Sequence, residues 1–184
     1  MSITTNVLHP WHGASYGKKA PSVINGVIEI PAGSRIKYEI DKKTGLLKLD
    51  RVLFSATHYP SNYGFIPQTL GDDKDPLDIV VLTYEPVVPL CIVSSRVIGV
   101  MRMIDNGEGD DKIIAVADDD TTLRDVQSLE DLPAQKLDEI SHFFETYKLL
   151  EKKEVKVSGF ENKEVAVSII EKAIEFYKET YGNK

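Results

Sequence analysis

A chain of 184 residues with 42% apolar content is long enough to bury one core without staples, and one domain over 1–184 is expected. A net charge of −7 argues against a protein whose main work is gripping nucleic-acid backbone, while leaving room for a local basic patch. The lone Cys91 cannot close an intrachain disulfide, no apolar run approaches the roughly 20 residues of a membrane helix, and no secretory pattern opens the chain, so the expectation is a cytoplasmic protein with neither a membrane nor a nucleic-acid partner.

Residues 1–22 contain Pro10, Gly13, Gly17 and Pro21 without a clear period and read as an ordered arm or loop. Within them GASYGKK, Gly13 to Lys19, misses the phosphate-binding loop: its glycines are too close, Lys19 replaces the hydroxyl residue and no strand precedes. Val23 to Ile30 predicts a strand, ended by Pro31–Gly33. Ile36, Tyr38 and Ile40 then alternate with Lys37, Glu39 and Asp41. Lys42 to Gly45 is a turn, and Leu46 to Phe54 returns as the second strand of a hairpin. The face bearing Lys37 and Glu39 meets water in a meander, or a central groove in a barrel. Tyr59 to Pro67 is punctuated by Pro60, Gly64 and Pro67 and reads as loop with a brief extended segment.

Gly71 to Leu82, GDDKDPLDIVVL, sets Asp73, Asp75 and Asp78 directly before the apolar run Ile79–Leu82, which reads as a buried strand. Pro76 turns Asp75 away from helix. Asp73 and Asp75, two apart on extended chain, face one space, and the turn brings Asp78 back toward them. Carboxylates so gathered repel and call for cations or protons. Oxygen donors without Cys or paired His suit Mg²⁺, Mn²⁺ or Ca²⁺.

Val87 to Ile104 predicts two strands or one long bent one, Asp105 to Lys112 a glycine-rich acidic turn, and Ile113 to Ala117 another strand. Asp118 to Asp120 reads as a solvated turn. Pro133 stands at the first position of a helix whose apolar stripe is Leu137, Ile140, Phe143, Phe144, Tyr147 and Leu150. His142 lies beside that stripe in a structural or interface role, while Tyr147 and Lys148 project past the helix end. Lys153 to Phe160 predicts a last strand, and Asn162 caps a helix bearing Ile169, Ile170, Ala173, Ile174, Tyr177 and Tyr181. Many short strands followed by helices give an α+β, mainly β class, a small antiparallel barrel with helices outside.

Asp105 and Asp110 form a second acidic turn beside a core strand. Neither turn is an EF-hand, since Asp78 falls where that loop needs glycine and Gly107 and Gly109 fall at ligand positions. Carboxylates on two turns suit a site shared with a phosphate, and Lys37, Arg51, Lys112 and Lys148 are candidate anion binders. The residues alone therefore indicate a divalent-metal phosphate enzyme.

The stretch Asp73-Lys74-Asp75-Pro76-Leu77-Asp78-Ile79 resembles the D-x-D-P-x-D motif of family I soluble inorganic pyrophosphatases of the prokaryotic type. Glu29–Pro31, Ile36–Ile40, Asp50–Arg51, Tyr59–Pro60, Asn62–Gly64, Asp105–Lys112 and His142–Lys148 extend the likeness in order and spacing. The resemblance implies an OB-type five-stranded antiparallel barrel with two main helices packed outside. It implies hydrolysis of pyrophosphate to two orthophosphates by a metal-activated water, with several Mg²⁺ per subunit, Mn²⁺ or Zn²⁺ as substitutes, and a homohexamer. By position, Asp73, Asp78 and Asp110 resemble ligands of a first metal pair, bridged by Asp78. Asp105 with Asp110 resembles the site of a metal arriving with substrate. Asp75 resembles the group that orients and deprotonates the attacking water. Lys37, Arg51, Tyr63, Lys112, Tyr147 and Lys148 resemble phosphate binders, with Lys37, Arg51 and Tyr63 also in the catalytic set. Glu29 and Glu39 resemble supporting groups, and Tyr59 a pocket wall. Asn106 stands where many relatives carry Glu, Thr146 replaces a histidine, and Leu90 a glycine. The alternatives are a non-catalytic OB-fold nucleic-acid binder, a calcium-binding structural domain and another divalent-metal phosphohydrolase.

Overall fold

The computed structural model describes residues 9–182. The start of the expected arm, residues 1–8, lies outside them, and its remainder holds a single-turn helix, α1 (Pro10–Gly13), before entering the sheet. Nine strands follow: β1 (Val23–Ile30), β2 (Ile36–Ile40), β3 (Leu47–Val52), β4 (Asn62–Phe65), β5 (Asp78–Leu82), β6 (Ile92–Asp105), β7 (Glu108–Gly109), β8 (Lys112–Ala117) and β9 (Val155–Glu161). Two longer helices, α2 (Ala134–Thr146) and α3 (Lys163–Tyr181), come late in the chain, as the periodicity predicts. The class is the expected one, mostly sheet with few helices.

Strands β1, β4, β5, β8 and β6 pair in that order, and β6 pairs back onto β1, giving a barrel-like sheet. One of these pairings differs from the expected antiparallel pattern: β5 and β8 run parallel, with Asp78 opposite Lys112 and Leu82 opposite Val116. The connection between them includes the long strand β6, which leaves room for a crossover that a tight hairpin lacks. Close pairing of β1 and β4 depends on Gly64, where a Cβ would lie 1.9 Å from the Val27 carbonyl oxygen. The hairpin β2–β3 forms its own small sheet.

Alternate faces of the barrel strands fill two clusters. One joins Val80, Ile98, Met101 and Ile114 to Ile140, Phe143 and Phe144 of α2. The other joins Ile79, Val81, Val97 and Ile113 to Ala166, Ile170 and Ala173 of α3. Asn162 caps α3 through its Oδ1, which accepts from Val165 N–H at 3.2 Å.

Several local expectations change. Of the two alternatives for Val87–Ile104, the single long strand is the one formed, starting at Ile92, with its register shifting between Val97 and Gly99. The acidic turn contains β7, paired on β6. Pro133 is the N-cap of α2, not its first helical residue, and Leu150 is 63% exposed because the helix stops at Thr146 and a 3-10 turn carries the chain away. Nor is 118–120 simply solvated: Asp118 accepts from Arg96 at 2.7 Å, and Asp120 caps the turn Thr121–Leu123.

Candidate active site

The parallel register brings the first residue of β5 beside the first residue of β8, so Asp78 and Lys112 are neighbours by construction. Lys112 Nζ donates to Asp78 Oδ2 at 2.5 Å and also to Asp110. Burial alone would lower the ammonium's pKa, but Asp78 and Asp110 outweigh it and hold it above the ordinary value. Tyr63, on β4, donates its hydroxyl to the same Asp78 Oδ2 at 2.5 Å, and the Lys112 ammonium lies 5.8 Å from its ring centre. Burial, and then Asp78, push the Tyr63 phenol well up.

The loop before β5 is closed by its own groups. Gly71 N–H donates to the Asp75 carbonyl at 2.7 Å, and Asp75 N–H donates to Asp73 Oδ1 at 3.0 Å. Lys74 takes the left-handed conformation, φ +67, that so tight a turn requires. Asp75 in turn accepts from Lys42. Across the site, Lys148, two residues beyond α2, donates to Asp105, whose other partner is Asn106 Nδ2 at 2.9 Å. Burial first, and Asp110 next, raise the Asp73 carboxyl; burial likewise raises Asp110, with Asp78 and Asp105 adding to it. The carboxylates of the two acidic turns therefore feel one another's charge.

The hairpin supplies a cationic side. Lys37 pairs with Asp50 at 3.2 Å and Glu39 at 3.4 Å, and Glu39 also pairs with Lys48 at 3.3 Å. Arg51 donates from Nε to Glu151 at 2.7 Å and from Nη1 to Asp50, while its buried Nη2 has no hydrogen-bond partner among the described residues. Glu29 is 7% exposed, accepts from Ile40 N–H at 2.7 Å, and is pushed up to about 8 by burial.

A cleft of about 510 Å³ collects Glu29, Lys37, Glu39, Tyr63, Asp73, Asp75, Asp78, Asp105, Asp110, Tyr147 and Lys148. Three expected site residues stand behind its wall instead. Lys112 is wholly buried beneath the carboxylates, and Arg51 is turned toward Glu151. Tyr59 is buried with its ring tilted on Tyr63 and Phe143, at centroid distances of 5.6 and 4.6 Å. Lys42, Lys43 and Lys48 also line the cleft, Asp50 pairs with Lys37 and Glu151 with Arg51; no role for these five is legible in the sequence, where they read as ordinary solvated charge. A larger cavity, about 990 Å³, touches Asp73, Asp78 and Asp110 from the α3 side but offers only Arg102 and Lys172 as cations.

The donor set fits a hard dication in kind: Asp73, Asp78, Asp105 and Asp110 present only carboxylate oxygens, and Asp73 and Asp110 are raised first by burial and further by neighbouring carboxylates. Among the described residues no three His, Cys, Asp or Glu side chains are grouped as a ready cation cage, and lysines engage Asp78, Asp105 and Asp110.

Fold and site together define a phosphate-handling enzyme built on a barrel-like sheet. Residues 26–178 match the family model described as inorganic pyrophosphatase. A soluble inorganic pyrophosphatase of Solanum tuberosum is 53% identical over 171 residues, covering 93% of this chain and 81% of its own length. The crystal structure of inorganic pyrophosphatase from Thermus thermophilus superposes with a TM-score of 0.89 at 44% identity, over 92% of this chain and 99% of that one. The Helicobacter pylori inorganic pyrophosphatase gives 0.83 at 48% identity, over 85% and 94%. The chain belongs to the inorganic pyrophosphatase family.

Proposed function

We propose that this chain hydrolyses inorganic pyrophosphate to two orthophosphates with Mg²⁺, acting as one domain, with Mn²⁺ or Zn²⁺ as substitute ions. The observation that carries the reading is the meeting of Asp73, Asp75, Asp78, Asp105 and Asp110 with Lys37 and Lys148 on one cleft. A polyanion needs cations there, and acidic side chains alone would repel it.

Asp73, Asp78, Asp105 and Asp110 are the residues to hold the ions. When bound, the ions neutralise charge on pyrophosphate and lower the pKa of water toward neutrality. Asp75 orients the attacking water and takes its proton; the water oxygen bonds to one phosphorus and the bridging oxygen leaves with the other. Lys37, Lys148, Tyr63 and Tyr147 hold phosphate oxygens, with Arg51 swinging in from Glu151. Lys112 keeps Asp78 and Asp110 together from beneath, Glu29 and Glu39 support the ion and lysine positions, and Tyr59 backs Tyr63.

The cytoplasmic setting rests on the unpaired Cys91, and among the described residues no helix is long and apolar enough to cross a membrane. A homohexamer would cover exposed apolar side chains such as Phe54, Leu149 and Leu150. Phosphate release from pyrophosphate, with a nucleotide and DNA as competing substrates and a chelator control, tests the activity. Faster release from the nucleotide, or activity unaffected by the chelator, would overturn it. Light scattering on the purified protein tests the hexamer.

A further inference from the structure

Lys42 carries no assigned role, yet its ammonium is the group seated on the Asp75 carboxylate. The turn bearing it is closed by Asp41, whose Oδ1 accepts from Thr44 N–H and Thr44 Oγ1–H, both at 2.8 Å. The Asp41 carbonyl accepts from Gly45 N–H at 2.8 Å. Outside this turn lies the segment before β1. Gly45 has φ +70, and a Cβ on it would meet Pro10 Cδ at 2.7 Å, so Pro10 packs hard on the turn. His9 Nε2 lies 3.2 Å from the Lys42 carbonyl oxygen, to which it donates in the Nε2–H tautomer. Asp75 is anchored independently through Gly71 and Asp73.

The Lys42 and Asp75 side chains are 54% and 49% exposed, so their pairing adds little to stability. Its effect is directional. A carboxylate at a loop tip samples several orientations in water, and an ammonium fixed by a rigid turn selects one. Engaging Oδ1 leaves the second oxygen for the attacking water.

We propose that Lys42 is a positioning residue for Asp75, with His9 and Pro10 as the latch that sets its turn; this rests on the reading of Asp75 as the base. Lysine here orients the proton acceptor, and pyrophosphate affinity does not depend on it.

The test is a double-mutant cycle at matched Mg²⁺, reading kcat and KM for Lys42→Ala, Lys42→Arg, Asp75→Asn and the Lys42→Ala/Asp75→Asn pair. We expect Lys42→Ala to lower kcat by roughly 10- to 100-fold with KM moved less than about threefold. Lys42→Arg recovers most of that loss, and Lys42→Ala has no further effect once Asp75 is Asn. His9→Ala lowers kcat in the same direction by less. A raised KM with kcat intact would make Lys42 a phosphate ligand and overturn the proposal. So would an equal loss from Lys42→Ala in the presence and absence of the Asp75 carboxylate. Wild-type turnover in Asp75→Asn alone would instead remove the base itself, and the proposal with it.

Discussion

Lys112 Nζ lies 2.5 Å from Asp78 Oδ2, and that lysine is 1% exposed. A buried ammonium gripping Asp78 and Asp110 is a group the fold cannot lose without stranding two carboxylates. Lys112→Met keeps the volume and removes the charge. Breaking a buried pair from one side costs about 3–5 kcal/mol. Urea denaturation without divalent ions should show that loss as a lower midpoint with an unchanged slope.

Glu29 reaches about 8 in the folded chain from an ordinary 4.5, raised by burial. Its neutral form is the one the fold favours, so its stabilising contribution is full below about 4.5 and is lost as pH rises through about 8. Glu29→Gln keeps an acceptor for Ile40 N–H and removes the titration. Without divalent ions, wild-type stability should fall relative to the variant between pH 4.5 and 8. Parallel slopes in urea unfolding across that window would refute the assignment.

Asp75 and Asp78 should separate chemistry from ion binding. Asp75→Asn is expected to lower turnover by about 10²–10⁴-fold, the usual contribution of a positioned base, while largely sparing Mg²⁺ affinity. Asp78→Ala should impair both. Calorimetric Mn²⁺ titration beside steady-state rates distinguishes the two outcomes.

Glu151 holds Arg51 from a turn one hundred residues away, its side chain 5% exposed. Glu151→Ala removes a hydrogen bond between charged groups, worth about 1.5–3 kcal/mol, and frees the guanidinium. A lower melting temperature together with an altered KM for pyrophosphate is expected. Unchanged KM would mean that Arg51 keeps its orientation through Asp50 alone.

Gly64 has no room for a methyl group, since the Val27 carbonyl oxygen would sit 1.9 Å from it. Both atoms belong to paired backbone and cannot turn aside. Gly64→Ala is expected to cost at least about 3 kcal/mol, at the upper end of overpacking, and circular dichroism melts will read it.

Most of the fold was legible because its signals are local. Alternation around Tyr38, the Asn162 cap and the stripe through Phe143 each follow from a short window. Gathering of the two acidic turns was also legible, since apolar runs adjoin both. What a short window does not contain is the direction in which β5 and β8 pair, or where a long side chain ends. Lys112 reads as an anion binder at the end of an acidic turn, yet pairing with Asp78 draws it under the cleft. Arg51 and Glu151 meet only after the hairpin closes on the turn beyond α2. Leu150 continues the stripe in sequence but not in space, because the helix ends four residues earlier.

The alignment of β5 with β8 has a consequence for assembly. Two strands travelling the same way deliver their leading residues to one rim, whereas opposed strands of five residues would part them by roughly 13 Å. On the proposed ligand set, a partly folded chain in which Ile79 and Ile113 have not yet joined lacks the rim that gathers Asp78 with Asp110. If Asp78 and Asp110 hold the ions as proposed, ion capture reports completion of the sheet, and a magnesium pulse during refolding should be felt only once the Ile79 and Ile113 amides resist exchange.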